Sequence, residues 1–122
     1  MPLFTDILEH FFPEGLLDHF TITRFVELCE LESKSIYYEV SLEENNVILS
    51  ESDPQLYESK GFKNEFTLQY FPIRGQGVYL KIKRRVWRLK TDHSKLIQND
   101  FSFIADNKGF TKDFSSFLKE YN

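Results

Sequence analysis

Between Val78 and Lys90 the chain reads VYLKIKRRVWRLK, and the residue types that could do chemistry fall on alternate positions of it. Successive side chains of a strand point to opposite faces. Val78, Leu80, Ile82 and Val86 then line one side, and Tyr79, Lys81, Lys83, Arg85 and Trp87 the other. Three cations between two aromatics suit a polyanion. Alternate residues on one strand face are about 6.6 Å apart, close to the roughly 6.8 Å axial rise of two nucleotide steps. The cations could follow a phosphate backbone while Tyr79 and Trp87 stack on bases. Arg84 and Arg88 interrupt the apolar register and predict that the strand bends, bulges or leaves its sheet near its end. The pattern equally suits a solvated outer face, since lysine and arginine blunt exposed strands, with Trp87 covering the edge of the core.

Other chemistries leave fainter traces. His10, His19, His93 and Cys29 show no paired spacing of the CxxC or HxxxH kind, so neither a metal nor another cofactor is expected. No glycine-rich phosphate loop stands between a strand and a helix, and no nucleophile, histidine and acid form a set. Glu58-Ser59-Lys60 and Glu32-Ser33-Lys34, with Asp53 upstream, match the acid-before-lysine triplet of some metal-dependent nucleases. Such triplets arise readily by chance and sit equally well as ion-paired or solvated residues beside loops.

The elements that must position the basic stretch can be read in outline. Leu3, Ile7 and Phe11, with Leu8 and Phe12, predict a short helix over Leu3–Phe12, capped by Thr5 or Asp6 and stopped at Pro13. Gly15 turns the chain so that Leu16, Leu17 and Phe20 fold back. Thr21–Leu31 and Ile36–Leu42 predict two antiparallel strands joined around Glu32–Ser35, although Phe25, Leu28 and Cys29 also fit helical spacing. Glu43–Lys60 is polar and predicts a surface loop with one short apolar contact at Val47–Leu49. Phe62, Phe66, Leu68 and Tyr70 share one strand parity, and Pro72, Gly75 and Gly77 predict the turn that delivers the basic strand, with Arg74 at its tip. TDHSKLIQND predicts a polar turn, Phe101–Ala105 a last short strand, and Thr111 the cap of a final helix striped by Phe110, Phe114, Phe117, Leu118 and Tyr121.

Composition sets the frame. The 122 residues predict one domain over residues 1–122, of α+β class: a small antiparallel sheet of about four or five strands with short N- and C-terminal helices. Thirteen phenylalanines argue for a folded aromatic core. A single cysteine excludes an internal disulfide. With no secretory leader or apolar run near 20 residues, a soluble, cytoplasmic protein without a membrane partner is expected. The net charge of −4 hides an asymmetry: residues 1–60 hold 13 Asp and Glu against 3 Lys and Arg, residues 61–122 hold 6 against 12. The basic half can meet a polyanion locally, or the two halves can neutralise one another.

Pro13-Glu14-Gly15-Leu16-Leu17 with Phe20, Glu58-Ser59-Lys60-Gly61-Phe62, Phe71-Pro72-Ile73 with Gly75, and Val78-Tyr79-Leu80 carry a likeness that runs nearly end to end. It continues through Lys83-Arg84-Arg85 and Trp87 and finishes at Thr111, Phe114 and Phe117-Leu118-Lys119-Glu120. In these stretches the chain resembles the short N-terminal-region proteins of insertion-sequence transposases, which accompany a separately encoded catalytic subunit. Its hairpin also looks like the zinc ribbon of larger single-chain transposases, which carry a cysteine shortly after the basic strand, where this chain has Leu89. The resemblance implies a ribbon-like hairpin without zinc, a role in binding the element's DNA ends, and no catalysis in this polypeptide.

The leading expectation is therefore a DNA-binding accessory domain. Lys81, Lys83, Arg84, Arg85 and Arg88 would neutralise phosphates, Tyr79 and Trp87 would stack or wedge, and Arg74 could reach a groove, where arginine reads guanine well. The alternative is an interaction module that docks the catalytic subunit without touching DNA. A metal-dependent nuclease centred on Glu58 is the third.

Overall fold

The computed structural model describes residues 10–105 and 110–120. The alternation of Ile36, Tyr38, Val40 and Leu42 produces a strand, β2 (Ile36–Glu44), that buries Val40 and Leu42 completely. It pairs antiparallel with β1 (Phe20–Cys29), as the sequence predicts, with a bulge between Ile22 and Arg24. The helical alternative for this stretch is not adopted.

Two further strands, β3 (Tyr57–Phe62) and β4 (Phe66–Ile73), face β6 (Arg85–Leu89) and β5 (Gln76–Lys83) respectively. Together they form one long antiparallel hairpin that is bent in the middle. Its tip is Arg74-Gly75, both at positive φ (52° and 75°), the two-residue turn whose twist matches that of the strands. Pro72 and Gly77, expected in the turn, lie instead in β4 and β5. Pro72 is tolerated because β4 is an edge strand.

At the bend the partners change. The outer half joins the first hairpin, because β5 runs parallel to β2, giving a four-stranded sheet in the order β1-β2-β5-β4. The inner half joins β7 (Asp92–Ile97) in a three-stranded sheet, β3-β6-β7. The protein is thus a small α+β fold in which the described residues form seven strands in two sheets with one parallel pair, where a single antiparallel sheet of four or five strands was expected.

Other boundaries move for local reasons. Glu43 and Glu44 end β2, and Glu58–Lys60 belong to β3, so the polar loop is shorter than expected. Asp92–Ile97 reads as a turn because it is an edge strand in which every residue but Ile97 is exposed, which leaves no alternation to see. Phe101–Ala105 was expected as a strand but forms a helical turn, α1 (Ser102–Ala105), where Ser102 N donates to Asp100 Oδ1 at 2.8 Å. Phe101, Ile104 and Ala105 are buried at helical spacing. The final helix, α2 (Lys112–Glu120), begins as predicted, with Phe114 N donating to Thr111 Oγ1 at 3.1 Å. The helix expected over Leu3–Phe12 lies mostly outside the described residues, as does Tyr121.

The core fills the space between the four-stranded sheet and the segments that cross it. Val78, Leu80 and Ile82 meet Phe12, Leu16, Phe20, Phe101, Phe114 and Phe117 there. Gly15, at φ 91°, makes the reversal that brings Leu16 into this space. Truncating Leu80, which is fully buried, removes contacts that the packed neighbours can only partly restore, worth about 2–5 kcal/mol.

Tyr70 shows what the core does to a polar group. Its ring stacks on Phe12 at 5.5 Å, its hydroxyl donates to Phe11 O at 3.4 Å, and burial pushes its ionisation up to about 12. The neutral phenol therefore stabilises the fold fully below about pH 10, and that contribution is lost as the pH rises through about 12. In an alkaline absorbance titration, Tyr70 should ionise last, together with loss of structure. Tyr70→Phe should remove that step and make the protein less sensitive to alkaline unfolding.

Candidate nucleic-acid interface

The basic stretch is divided by the bend. Val78, Leu80, Ile82 and Arg84 all point inward, so Arg84 keeps the inner parity of β5 and enters the interior with 1% exposure. Its Nε donates to Glu44 Oε1 at 2.8 Å, its Nη2 donates to Asn99 O, and its guanidinium lies 4.8 Å from the Phe101 ring centre. Glu44 Oε1 also accepts from Arg85 N at 3.1 Å, and its Oε2 from Asn99 Nδ2 at 2.9 Å. Asn99 completes the set by accepting from Leu49 N and donating to Val47 O, both at 2.8 Å. Lys63 N donates to Arg84 O at 2.8 Å, so the two limbs of the hairpin stay joined across the bend.

Trp87 also turns inward. It is 2% exposed, and its Nε1 donates to Asn46 Oδ1 at 2.8 Å. The second sheet is covered on that face by the segment that follows β2, so the parity that points outward in β5 points inward in β6. The expectation that Arg84 would meet phosphates and Trp87 would stack on bases finds both residues without surface to present.

The remaining cations are held in different ways. Lys81 Nζ lies 3.6 Å from Glu39 Oε1 and 3.9 Å from Glu65 Oε1. Arg88 Nε donates to Glu58 Oε2 at 2.7 Å, and that bond holds the Glu58 carboxyl below its usual range, helped by the charges of His93 and Lys90. Tyr79 is half-buried and packs edge-on against Tyr37 at 5.7 Å. Arg74 is exposed at the hairpin tip, nine residues and so roughly 30 Å of strand from Lys83.

Lys83 and Arg85 come together on an aromatic ring. The Arg85 guanidinium is 4.4 Å and the Lys83 ammonium 6.0 Å from the centre of Phe62, itself 37% exposed. Arg85 is fixed there, because its Nη1 donates to Ser59 Oγ at 2.8 Å and its Nε to Glu44 O at 3.2 Å. Lys63 follows Phe62, and burial together with the Arg84 charge lowers its pKa. The patch at the bend therefore consists of Lys63, Lys83 and Arg85 around Phe62, with exposed Lys60 two residues before the ring.

Ion pairs join acids of the first half to bases of the second, among them Glu39–Lys81, Glu44–Arg84 and Glu58–Arg88. The charge asymmetry is thus partly internal pairing. Lys60, Phe62 and Lys63, as well as Glu44 and Asn99, escape a reading centred on residues 78–90. A signal for the first three lies in Lys60-Gly61-Phe62-Lys63, where two cations flank an aromatic. Nothing local marks Glu44 or Asn99.

Comparison with protein-family models, with curated proteins and with solved structures finds no match to this chain. Among the described residues no helix is long and apolar enough to cross a membrane, and no three His, Cys, Asp or Glu side chains gather around a common point.

The buried pair has a direct test. Replacing Arg84 alone by Ala strands the Glu44 carboxylate and should cost about 3–5 kcal/mol in urea unfolding, and Glu44→Ala a similar amount. Replacing both with apolar residues of matching volume should cost less than either single change.

Proposed function

We propose that this chain is a non-catalytic DNA-contacting accessory domain of an insertion-sequence transposition system, working beside a separately encoded catalytic subunit. The observation that carries the reading is the half-buried group at the bend: Lys83 and Arg85 over the Phe62 ring, with Lys63 adjoining. A guanidinium fixed by Ser59 and the Glu44 carbonyl is already ordered for a phosphate and gives up little rotamer freedom on contact. The likeness to transposase N-terminal-region proteins supplies the system. In this reading the bent hairpin plays the part of a zinc ribbon, and the Glu44–Arg84–Asn99 bonds do the holding that a metal would otherwise do.

A second reading has its own support. Lys81 and Arg88 are paired with carboxylates, whereas Leu31 is 91% exposed at the turn between β1 and β2, beside Ile36 at 38%. That combination suits a module that docks the catalytic subunit and leaves DNA to it.

Fluorescence anisotropy separates the two, using duplex DNA from the element's ends and a scrambled duplex at several salt concentrations. Contact of Lys63, Lys83 and Arg85 with three phosphates gives a log-log salt slope of about −2.7, and Lys63→Ala with Lys83→Ala should reduce it to about −0.9. A steeper slope, about −3.6, would mean a fourth cation. Binding to neither duplex at low salt, with saturable binding to the purified catalytic subunit, would establish the docking module instead.

A further inference from the structure

On the other side of Phe62 from the bend, the second sheet is open. Ser59 faces Trp87 and Gly61 faces Val86, so Lys60 is an extra residue in β3 and the strand bulges there. Gly61 sits in the bulge at φ 115°, a conformation that favours glycine, and a Cβ at that position would meet no atom within 4 Å. The bulge borders a cavity of about 580 Å³, which spans all three strands of the sheet. Val86 and Leu96 supply apolar surface, Phe62 forms one side, and Lys60 and Lys63 line it with Gln98. The volume falls within the range of small-ligand sites, which combine apolar walls with a few convergent polar groups.

The polar groups have one character. Lys60 and Lys63 bring two ammonium groups to the lining. A ligand that complements these walls carries an anionic group for the lysines and a flat apolar body for Leu96, Val86 and Phe62. We propose that the cavity receives a single nucleotide, with phosphate at Lys60 and Lys63 and the base plane against Leu96 and Phe62. Phe62 and Lys63 also belong to the cationic patch, so a strand lying on that patch could deliver its terminal unpaired nucleotide here. This strand-borne form rests on the DNA-contacting reading, whereas the free nucleotide has the same chemistry without it.

The test is an amide-resolved NMR titration of the full chain with deoxyadenosine monophosphate, inorganic phosphate and deoxyadenosine. It is paired with anisotropy on a blunt duplex and on the same duplex carrying a one-nucleotide overhang. The nucleotide should saturate and shift the amides of residues 60–64 and 96–98, and should bind about ten-fold more tightly than phosphate or nucleoside alone. Leu96→Glu places a carboxylate at an exposed position of the cavity wall, where folding tolerates it. It should weaken the nucleotide about ten-fold with an unchanged thermal melt. A gain for the overhang over the blunt duplex, lost in Leu96→Glu, identifies the strand end as the source. Equal binding of both duplexes with the nucleotide still bound identifies the free nucleotide. No saturation at millimolar nucleotide, shifts confined to other residues, or equal binding of phosphate and nucleotide would overturn the inference. Loss of duplex binding with nucleotide binding intact would overturn the DNA-contacting reading and leave the cavity's ligand in place.

Discussion

Glu44 and Arg84 are each 1% exposed, and taking both charges out of water costs several kcal/mol apiece. The arrangement holds because the charges do not rely on each other alone. Glu44 accepts at both oxygens, Arg84 donates to a carboxylate and a carbonyl, and Asn99 ties the carboxylate to the segment after β2. The three residues come from the end of β2, the joint between β5 and β6, and the segment after β7. One network therefore sets how the two sheets meet. A greasy substitute could be as stable, but would not dictate by hydrogen-bond geometry where the hairpin bends.

The bend in turn decides which side chains are available for binding. An unbent strand of residues 78–90 would display Tyr79, Lys81, Lys83, Arg85 and Trp87 in one row. After Arg84 the covered face of the hairpin changes, so Trp87 is buried and Arg88 emerges beside Glu58. Phe62 and Lys63, carried by the opposite limb, arrive next to Lys83 and Arg85. A linear array becomes a compact patch.

Internal charge pairing shapes the surface by the same logic. Parallel pairing of β2 with β5 sets Glu39 opposite Tyr79 and Glu43 opposite Lys83, so acids of one half flank bases of the other. Surface pairs of this kind contribute little stability each. Their larger effect is on the field: a ligand anion must compete with Glu39 and Glu65 for Lys81, whereas Lys83 makes no ion pair among the described residues.

The sequence by itself determined the elements whose signal is local. Alternation of Val40 and Leu42, and of Val78, Leu80 and Ile82, set strands with a buried face; Gly75 set a hairpin turn; Thr111 with the Phe114–Phe117–Leu118 stripe set the last helix. Arg84 in an otherwise apolar parity announced that the strand does not continue regularly. Each of these follows from neighbours within a few residues, where sterics and periodicity act. Only the tertiary structure decided that Arg84 finds Glu44, 40 residues away, that β2 and β5 run parallel, and that Asp92–Ile97 becomes an edge strand. Those outcomes depend on which distant groups can share a dry interior, and a chain carries no local trace of the partner that will satisfy a buried charge.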